Sequence, residues 1–432
     1  MKTAVIFHRL GPYHFARLRA AGRLLPVTAI ETSGVDETYA WDSIAGAAGF
    51  ERVTLFDHAD SQRLPARAVA SRIGSALGKI RPQAVVVPGW ADSAALGALQ
   101  WCVQNQVPAV IMSESTEWDG ARGTWREAVK RRIVGLCSAA LVGGAPHKDY
   151  MVKLGMPAER VFLGYDAVDN AYFAAEAAKW RKQKTENRNQ KSEYKNQFQP
   201  SGFKSPISAF QDVSVSAFQN APYFLASARF VEKKNLVRLL QAYALYRELS
   251  ARRQAPGAKP SAPWSLVLLG DGELRPALAA LRSALGLHEH VLLPGFKQYP
   301  ELPAYYALAN AFIHASTTEQ WGLVVNEAMA SGLPVLVSNR CGCGQDLVQE
   351  GVNGFTFYPY NVEQLAQLML QVSAFQDVSL SAFGDASRRI ISDWGPERFA
   401  LGLQSAVRQA LAVGPIKPTL LQRMILKALL WK

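Results

Sequence analysis

The chain is poor in cysteine: four in 432 residues, Cys102, Cys137, Cys341 and Cys343. That number excludes a disulfide framework and fits a reducing compartment. Cys341 and Cys343 form a C-x-C pair with no second Cys/His pair nearby at ligand spacing, which argues against zinc. Long hydrophobic runs are also missing. The start, MKTAVIFHRLGP, has a short apolar run before His8 and Arg9, too brief for the core of a secretory signal. The longest uncharged stretch, Ser93 to Ser113, contains Gln100, Gln104, Asn105, Gln106 and Pro108, and reads as helix, turn and strand rather than a membrane span. A cytoplasmic location is expected. No G-x-G-x-x-G follows the first strand of either half, which disfavours a nicotinamide dehydrogenase. Acidic residues are in deficit, 35 against 47 basic, for a net charge of +12. Such an excess suits nucleic acid, an anionic membrane or a phosphorylated ligand. With neither a helix-turn-helix pattern nor interleaved aromatic and basic residues, nucleic acid is not an expected partner.

Apolar residues are plentiful, at 49% of the chain, enough for more than one core. In the first 170 residues, short β-branched runs alternate with helical patterns. TAVIF (3–7), AVVVP (84–88), PAVIM (108–112) and AALVGG (139–144) read as strands, each followed by a helix. The rhythm restarts at PYFLASA (222–228), with Asn235 as N-cap of the helix LVRLLQAYALYREL, and continues through WSLVLLG, HVLLPG, AFIHAS and LPVLVS. Strands alternating with helices predict βαβ units and parallel sheets. The expected fold class is α/β, two doubly wound Rossmann-like domains facing across a cleft, with ligands at the carboxyl ends of the strands. The expected boundaries are 1–175 for the first domain, completed by a C-terminal helix in 413–432, and 221–412 for the second.

Residues 176–220 lose periodicity and are expected to be a disordered polar linker or insertion. Within them SAFQDVSVSAFQ (208–219) recurs as SAFQDVSLSAFG (373–384), with ten of twelve positions identical. The flanking sequences differ, so this is no structural repeat; two inserted copies of one short segment, lying in tolerated surface loops, are expected. Residues 176–204 hold eight basic and three acidic side chains, and 413–432 hold four basic and none acidic, so these two segments supply +9 of the +12. The tail is read as an amphipathic helix with Leu420, Leu421, Met424, Ile425 and Leu429 on its apolar side. The helix RGTWREAVKRRIVG is basic along one side.

Four segments of the second half combine into a site. In ASARFVEKKN, Arg229 ends a strand and Lys234 precedes a helix N-terminus, a pairing suited to a diphosphate. In LLGDGELR, Gly270 and Gly272 flank Asp271 and allow a tight turn with close backbone approach. In VLLPGF, Gly295 and Phe296 end a strand, where the ring has the position to stack on a base or to join the core. In STTEQWGLVVNEAMASGLPVLVSN, Glu319 and Glu327 are eight apart, one in a loop and one on the helix that begins near Gly322. Amides at Gly322, Leu323 and Val324 lie between them, where the helix dipole favours phosphate, and the carboxylates can accept bonds from sugar hydroxyls.

Residues 222–360 resemble the donor-binding domain of retaining GT-B glycosyltransferases of glycosyltransferase family 4, through R-x4-K, GDGEL, PGF, the E-x7-E run and G-x-D-L-V-x-x-G-x-N-G-F. The first half resembles the acceptor domain more weakly, through GPYHFARL and GYDAVDNAYF. The resemblance implies that Arg229 and Lys234 neutralise the diphosphate, Glu319 approaches the transferred sugar, Glu327 holds the ribose and amides near Gly322 and Leu323 contact phosphate. It implies that Gly11 approaches the diphosphate from the other domain. It further implies a metal-independent hexosyl transfer without a cofactor, from a nucleoside-diphosphate sugar to a glycan or lipid-linked acceptor in cell-envelope polysaccharide synthesis. Peripheral contact with an anionic membrane at the cytoplasmic face accompanies that reading. Asn235 stands where a glycine often follows the lysine, and Gln320–Trp321 where smaller residues or phenylalanine are common. Ser113–Glu114 occupy the place of a histidine common in relatives, which leaves Glu114, Ser113 and His14 as acceptor-side candidates. Two other readings are a non-catalytic nucleotide-sugar binder and a nucleotide-sugar epimerase on the same fold.

Overall fold

Short runs of Val, Ile, Leu and Ala, apolar on both faces, form strands that are covered on both sides, as parallel sheets require. A computed structural model describes residues 1–34, 49–56, 64–120, 122–194, 221–253 and 262–431. They divide into two compact units, Met1–Asp169 with Asp393–Lys432, and Asn170–Ser392.

The first unit runs β1 (Thr3–Phe7), α1 (Pro12–Gly22), β2 (Val27–Ser33), β3 (Glu51–Phe56), α2 (Ala66–Ile80), β4 (Ala84–Pro88), α3 (Ser93–Asn105), β5 (Ala109–Ser113), α4 (Thr124–Val134), β6 (Ala139–Val142), α5 (Ala145–Lys153) and β7 (Val161–Leu163). Its seven parallel strands lie in the order β3-β2-β1-β4-β5-β6-β7. The sheet holds more strands than the periodicity suggests. β2 and β3 escaped the pattern because VTAIETS and ERVTLF carry polar residues. Glu31 is fully buried, and its carboxylate accepts the Leu10 amide (3.1 Å), Arg52 Nε (2.7 Å) and the Thr54 hydroxyl (2.6 Å).

The second unit runs α6 (Asn170–Tyr194), β8 (Tyr223–Ser227), α7 (Leu236–Arg252), β9 (Ser265–Leu269), α8 (Arg275–Ala284), β10 (Val291–Gly295), α9 (Leu302–Leu308), β11 (Ala311–His314), α10 (Leu323–Ala330), β12 (Val335–Ser338), α11 (Gly344–Leu347), β13 (Gly354–Phe357), α12 (Val362–Ser373) and α13 (Asp377–Ser392). Its six parallel strands take the order β10-β9-β8-β11-β12-β13. The expectation of two doubly wound α/β sheets holds.

The boundaries differ from those read in the sequence. Residues 170–175, expected in the first domain, and 176–194, expected in a disordered linker, form one helix of the second unit. Phe173 and Ala177 are fully buried, and four residues on Arg181 donates to the carbonyls of Ala307 (3.1 Å) and Ser331 (2.6 Å). An i, i+4 stripe thus docks a helix whose average composition is polar. The rest of the expected insertion, 195–220, lies outside the described residues.

Residues 393–412 belong to the first unit rather than the second. There α14 (Pro396–Val413) buries Phe399, Leu403, Ala406, Val407 and Ala410 in the same core as Val5, Phe7, Val86 and Val110. The last helix, α15 (Leu420–Leu429), packs on α3 and α4 of the same unit.

The copy of the duplicated segment at 373–384 is not a surface loop. It closes α12 and opens α13. Phe375 and Phe383 meet at 5.0 Å between ring centroids, and Phe355 joins them, while Val378 points outward. The copy at 208–219 lies outside the described residues. At Gly384 a Cβ would stand 2.3 Å from the carbonyl oxygen of Gly332, so the α13–α10 packing admits only glycine there. Gly384→Ala should therefore lower stability by about 1–3 kcal/mol through forced separation of the two backbones. Urea unfolding checks this; an unchanged midpoint and slope would refute the close approach.

Candidate active site

The residues expected to carry chemistry gather at the carboxyl ends of β8, β11 and β12 in the second unit. After β8 the chain passes Arg229 and a single 3-10 turn, Glu232–Lys234, before α7. Asn235 joins the two with a φ of +58°, in the left-handed region where Gly and Asn are the residues most easily placed. This accounts for asparagine at a position where glycine is common in relatives. Asn235 does not cap α7 with its side chain, contrary to the sequence reading. Instead its Nδ2 donates to the carbonyls of Ala315 (3.0 Å) and Pro359 (2.7 Å), tying the loops after β11 and β13 to the turn. The Thr317 amide donates to the Lys233 carbonyl (2.8 Å), a second tie between the same loops.

Glu319 is fixed through both backbone and side chain. Its amide donates to the Arg340 carbonyl (3.1 Å), and its carbonyl accepts from the Gly342 amide (3.1 Å). The carboxylate pairs directly with Lys234 and accepts from Ser316 Oγ (3.3 Å), with His314 Nε2 at 3.4 Å and Lys233 Nζ at 4.0 Å. Burial works against ionisation of Glu319, but the His314 hydrogen bond and the Lys234 charge override it and hold the carboxyl far below the usual carboxylate range. Burial likewise works against a charged His314, and its neighbours Cys341 and Glu319 reverse that, so the imidazole pKa is raised.

Gly322 begins α10 with a φ of +102°, and a Cβ there would come within 2.7 Å of Cys341 Sγ. Glycine is thus required where the loop folds over the thiol. The first-turn amides at Leu323 and Val324 then open the helix, where geometry provides no intrahelical acceptor. Glu327 lies deeper. It is fully buried, and Tyr306 donates its hydroxyl to Oε2 at 2.6 Å. Burial first, then the Glu327 charge, raise the Tyr306 pKa well above its ordinary value, so the phenol stays protonated and donating. Glu319 and Glu327 therefore occupy unlike environments, one in a cluster of cations and one beneath a phenol.

The glycines of GDGEL owe their identity to the protein itself. A Cβ at Gly270 would stand 1.8 Å from the Ala228 carbonyl, and one at Gly272 2.8 Å from that of Phe230. They let the turn after β9 press against the turn after β8, which carries Arg229. Asp271 is exposed and accepts the Gly272 amide at 2.8 Å. Gly295 has a φ of +87°, and Phe296 beyond it is 41% exposed at the strand rim, so of its two sequence readings the core phenylalanine is set aside.

In the first unit, Gly11 caps α1 with an extended backbone, and its amide donates to His14 Nδ1 at 3.1 Å. A Cβ at Gly11 would meet nothing nearer than 3.8 Å, so this unit itself does not demand glycine there. Burial, then the nearby Arg17 charge, lower the His14 pKa to about 3. His14 is thus a neutral capping residue rather than one projecting from the first loop. Ser113 Oγ accepts the Ser115 amide at 3.2 Å in a local turn. Glu114 lies beside Asp166, which burial and the Glu114 charge push well above the carboxylate range while Arg17 works the other way.

Sequence reasoning missed His314, Ser316, Lys233 and Tyr306. The available signal was a polar residue interrupting an apolar strand in AFIHAS, and the second lysine of EKKN.

Both Rossmann-like sheets are those of the GT-B glycosyltransferase fold. The Anabaena protein HepE, solved in complex with UDP, matches with a TM-score of 0.64 at 15% identity, covering 94% of this chain and 98% of that one. Residues 209–387 match the family described as Glycosyl transferases group 1. An uncharacterized glycosyltransferase of Methanocaldococcus jannaschii is 32% identical over 130 residues, 30% of this chain and 28% of the relative. The GDP-mannose-dependent alpha-(1-6)-phosphatidylinositol monomannoside mannosyltransferase of Mycobacterium tuberculosis is 28% identical over 195 residues, 43% of this chain and 47% of the relative. The matches thus span less than half the length of these curated relatives.

Glu319 meets its partners only in the folded chain, so its ionised form stabilises the fold above the unfolded pKa of about 4.3, and that contribution is lost as pH falls. Between roughly pH 5 and pH 2 the wild type should lose on the order of 2 kcal/mol relative to Glu319→Gln. Urea titrations at several pH values measure the difference; parallel pH dependences would contradict the buried pair.

Proposed function

We propose that this chain is a retaining, metal-independent glycosyltransferase acting in the cytoplasm. It transfers a hexosyl-type sugar from a nucleoside-diphosphate sugar to a glycan or lipid-linked acceptor, in cell-envelope polysaccharide synthesis. The observation that carries this reading is the Lys234–Glu319 pair beside the first turn of α10. A cation, a carboxylate and a helix N-terminus converge at strand ends in a domain that matches a glycosyl transferase family.

In this reading the diphosphate draws Lys234, which with Arg229 and the Leu323 and Val324 amides neutralises the charge that develops on the diphosphate as it leaves. Glu319, relieved of its lysine, turns both oxygens to sugar hydroxyls. Glu327 receives the ribose once Tyr306 yields its oxygen, and Phe296 stacks on the base. The sugar C1–O bond to the diphosphate breaks as the acceptor oxygen bonds to C1 on the same face. The acceptor proton passes to the departing phosphate. Within the first unit, Glu114 and Ser113 are the residues proposed for the acceptor.

A thermal-shift screen of UDP-, GDP- and ADP-sugars identifies the donor, because binding to the folded state raises the melting temperature. Lys234→Ala should then reduce kcat/KM at least about 100-fold, the loss of one preorganised electrostatic group. Near wild-type turnover by Lys234→Ala with the identified donor would overturn the assignment.

A further inference from the structure

Two buried thiols stand beside Glu319 that the proposed transfer does not use. Cys341 and Cys343 lie in the turn between β12 and α11, separated by Gly342. Their Sγ atoms are 3.4 Å apart, and the residues are 3% and 0% exposed. Bridging them needs an approach of about 1.4 Å, since an S–S bond is about 2.05 Å long. Gly342 carries no side chain to resist that closing of the turn. The turn is also stitched to the loop that carries Glu319. The Gly342 amide donates to the Glu319 carbonyl (3.1 Å) and the Cys343 amide to that of Trp321 (3.1 Å). The Cys341 thiol donates to the same Trp321 carbonyl (2.8 Å).

The two sulfurs have unlike surroundings. Burial works against a thiolate at Cys341, but the Cys343 thiol and His314 override it and hold the Cys341 pKa below its ordinary value. Burial first, then the neighbouring Cys341, raise that of Cys343. The thiolate is the form that oxidants attack, so Cys341 is the reactive member and Cys343 the one placed to resolve it. A small oxidant has a short way in. Gly322 is partly exposed, and a Cβ there would stand 2.7 Å from Cys341 Sγ and 3.5 Å from His314 Nε2, so at this point a single glycine covers the thiol and the imidazole. Cys102 and Cys137 differ on every count. They lie in the core of the first unit, and burial raises both thiols, Cys137 to about 12.

We propose that Cys341 and Cys343 form an oxidative modification site: a hydroperoxide converts the pair to a disulfide, and closing of the bridge releases Glu319 from Lys234. The Cys341 thiolate attacks one oxygen of hydrogen peroxide and the O–O bond breaks. The other oxygen takes the proton carried by His314 and leaves as water, with Cys341 now a sulfenic acid. Cys343 gives its proton to His314 and attacks the Cys341 sulfur. The S–O bond breaks, and the departing hydroxide recovers that proton as a second water. Two thiols have then lost two electrons and two hydrogens, and the peroxide has become two waters. A dithiol reverses the bridge by exchange. The bridge takes from His314 a partner it shares with Glu319, and it pulls on the turn that holds the Glu319 carbonyl. Across a single intervening residue the gain from loop closure is small, so the bridge is a local clasp rather than a framework for the fold. The proposal does not depend on the glycosyltransferase reading.

Treatment of the full chain with hydrogen peroxide, then alkylation under denaturing conditions and peptide mass mapping, tests the chemistry. The peptide holding both residues should lose two hydrogens, resist alkylation and regain both reactive thiols after dithiothreitol, while Cys102 and Cys137 remain alkylated. Cys343→Ser should stop at the Cys341 sulfenic acid, which dimedone traps. Cys341→Ser should slow oxidation of Cys343 at least about tenfold. Wild-type thiols that both remain alkylated after peroxide, or a Cys343 oxidised at the wild-type rate in Cys341→Ser, would overturn the site. Urea unfolding of the bridged protein tests the consequence. Between roughly pH 5 and pH 2 its stability should show the flattened pH dependence of Glu319→Gln, and dithiothreitol should restore that of the wild type. A bridged protein with the wild-type pH dependence would overturn the release of Glu319.

Discussion

A carboxylate largely removed from water is costly unless its charge is answered at close range, and Glu319 is answered by Lys234, His314 and Ser316. That requirement fixes the second unit's site. Lys234 comes from the turn after β8, His314 and Ser316 from β11 and its end, and the Glu319 backbone is stitched to Arg340 and Gly342 after β12. Three strand ends are thus tied together through one residue, by its side chain and its backbone. A buried ion pair contributes little net stability over a well-packed apolar alternative, so its retention here fits a site more than a scaffold.

The glycines divide according to what excludes a side chain. Gly270, Gly272 and Gly384 are excluded by other backbone, and Gly322 by a thiol. Those positions would demand glycine in a protein of any function. Gly11 differs: its backbone is extended and its own unit leaves room for a Cβ. A glycine signal in sequence therefore mixes packing with ligand approach, and only the neighbouring atoms separate them.

The fold was legible wherever strands are apolar on both faces, as in AVVVP or SLVLL. It was hidden where buried polar groups are satisfied by partners distant in sequence. Glu31 made β2 look exposed because Arg52 and Thr54 lie on another strand. The helix α6 was obscured because its docked stripe of Phe173, Ala177 and Arg181 sits beside exposed polar residues such as Lys179, Lys182 and Gln183. The positions of Lys234 and Glu319 were legible from spacing, since local turn and helix geometry bring them to strand ends. The involvement of His314 and Tyr306 was not, since a lone histidine in a strand and one of two adjacent tyrosines in a helix meet Glu319 and Glu327 only through tertiary packing. The burial of Glu327 was likewise invisible: E-x7-E states a spacing along the chain, not a depth beneath the surface.

The helical copy of the duplicated segment shows what kind of information such a segment carries. Read from Ser373, its aromatic residues fall where α12 ends and the next turn of α13 returns, so Phe375 and Phe383 clasp one another and Phe355. The segment brings its own hydrophobic phase, independent of the sequence on either side. Ten of its twelve letters are shared with the other copy, yet one of the two that differ is decisive: Gly384, where the other copy has Gln219. Compatibility with this place in the fold rests on the absence of one side chain, so the two copies are near-synonyms in sequence that are not interchangeable in space.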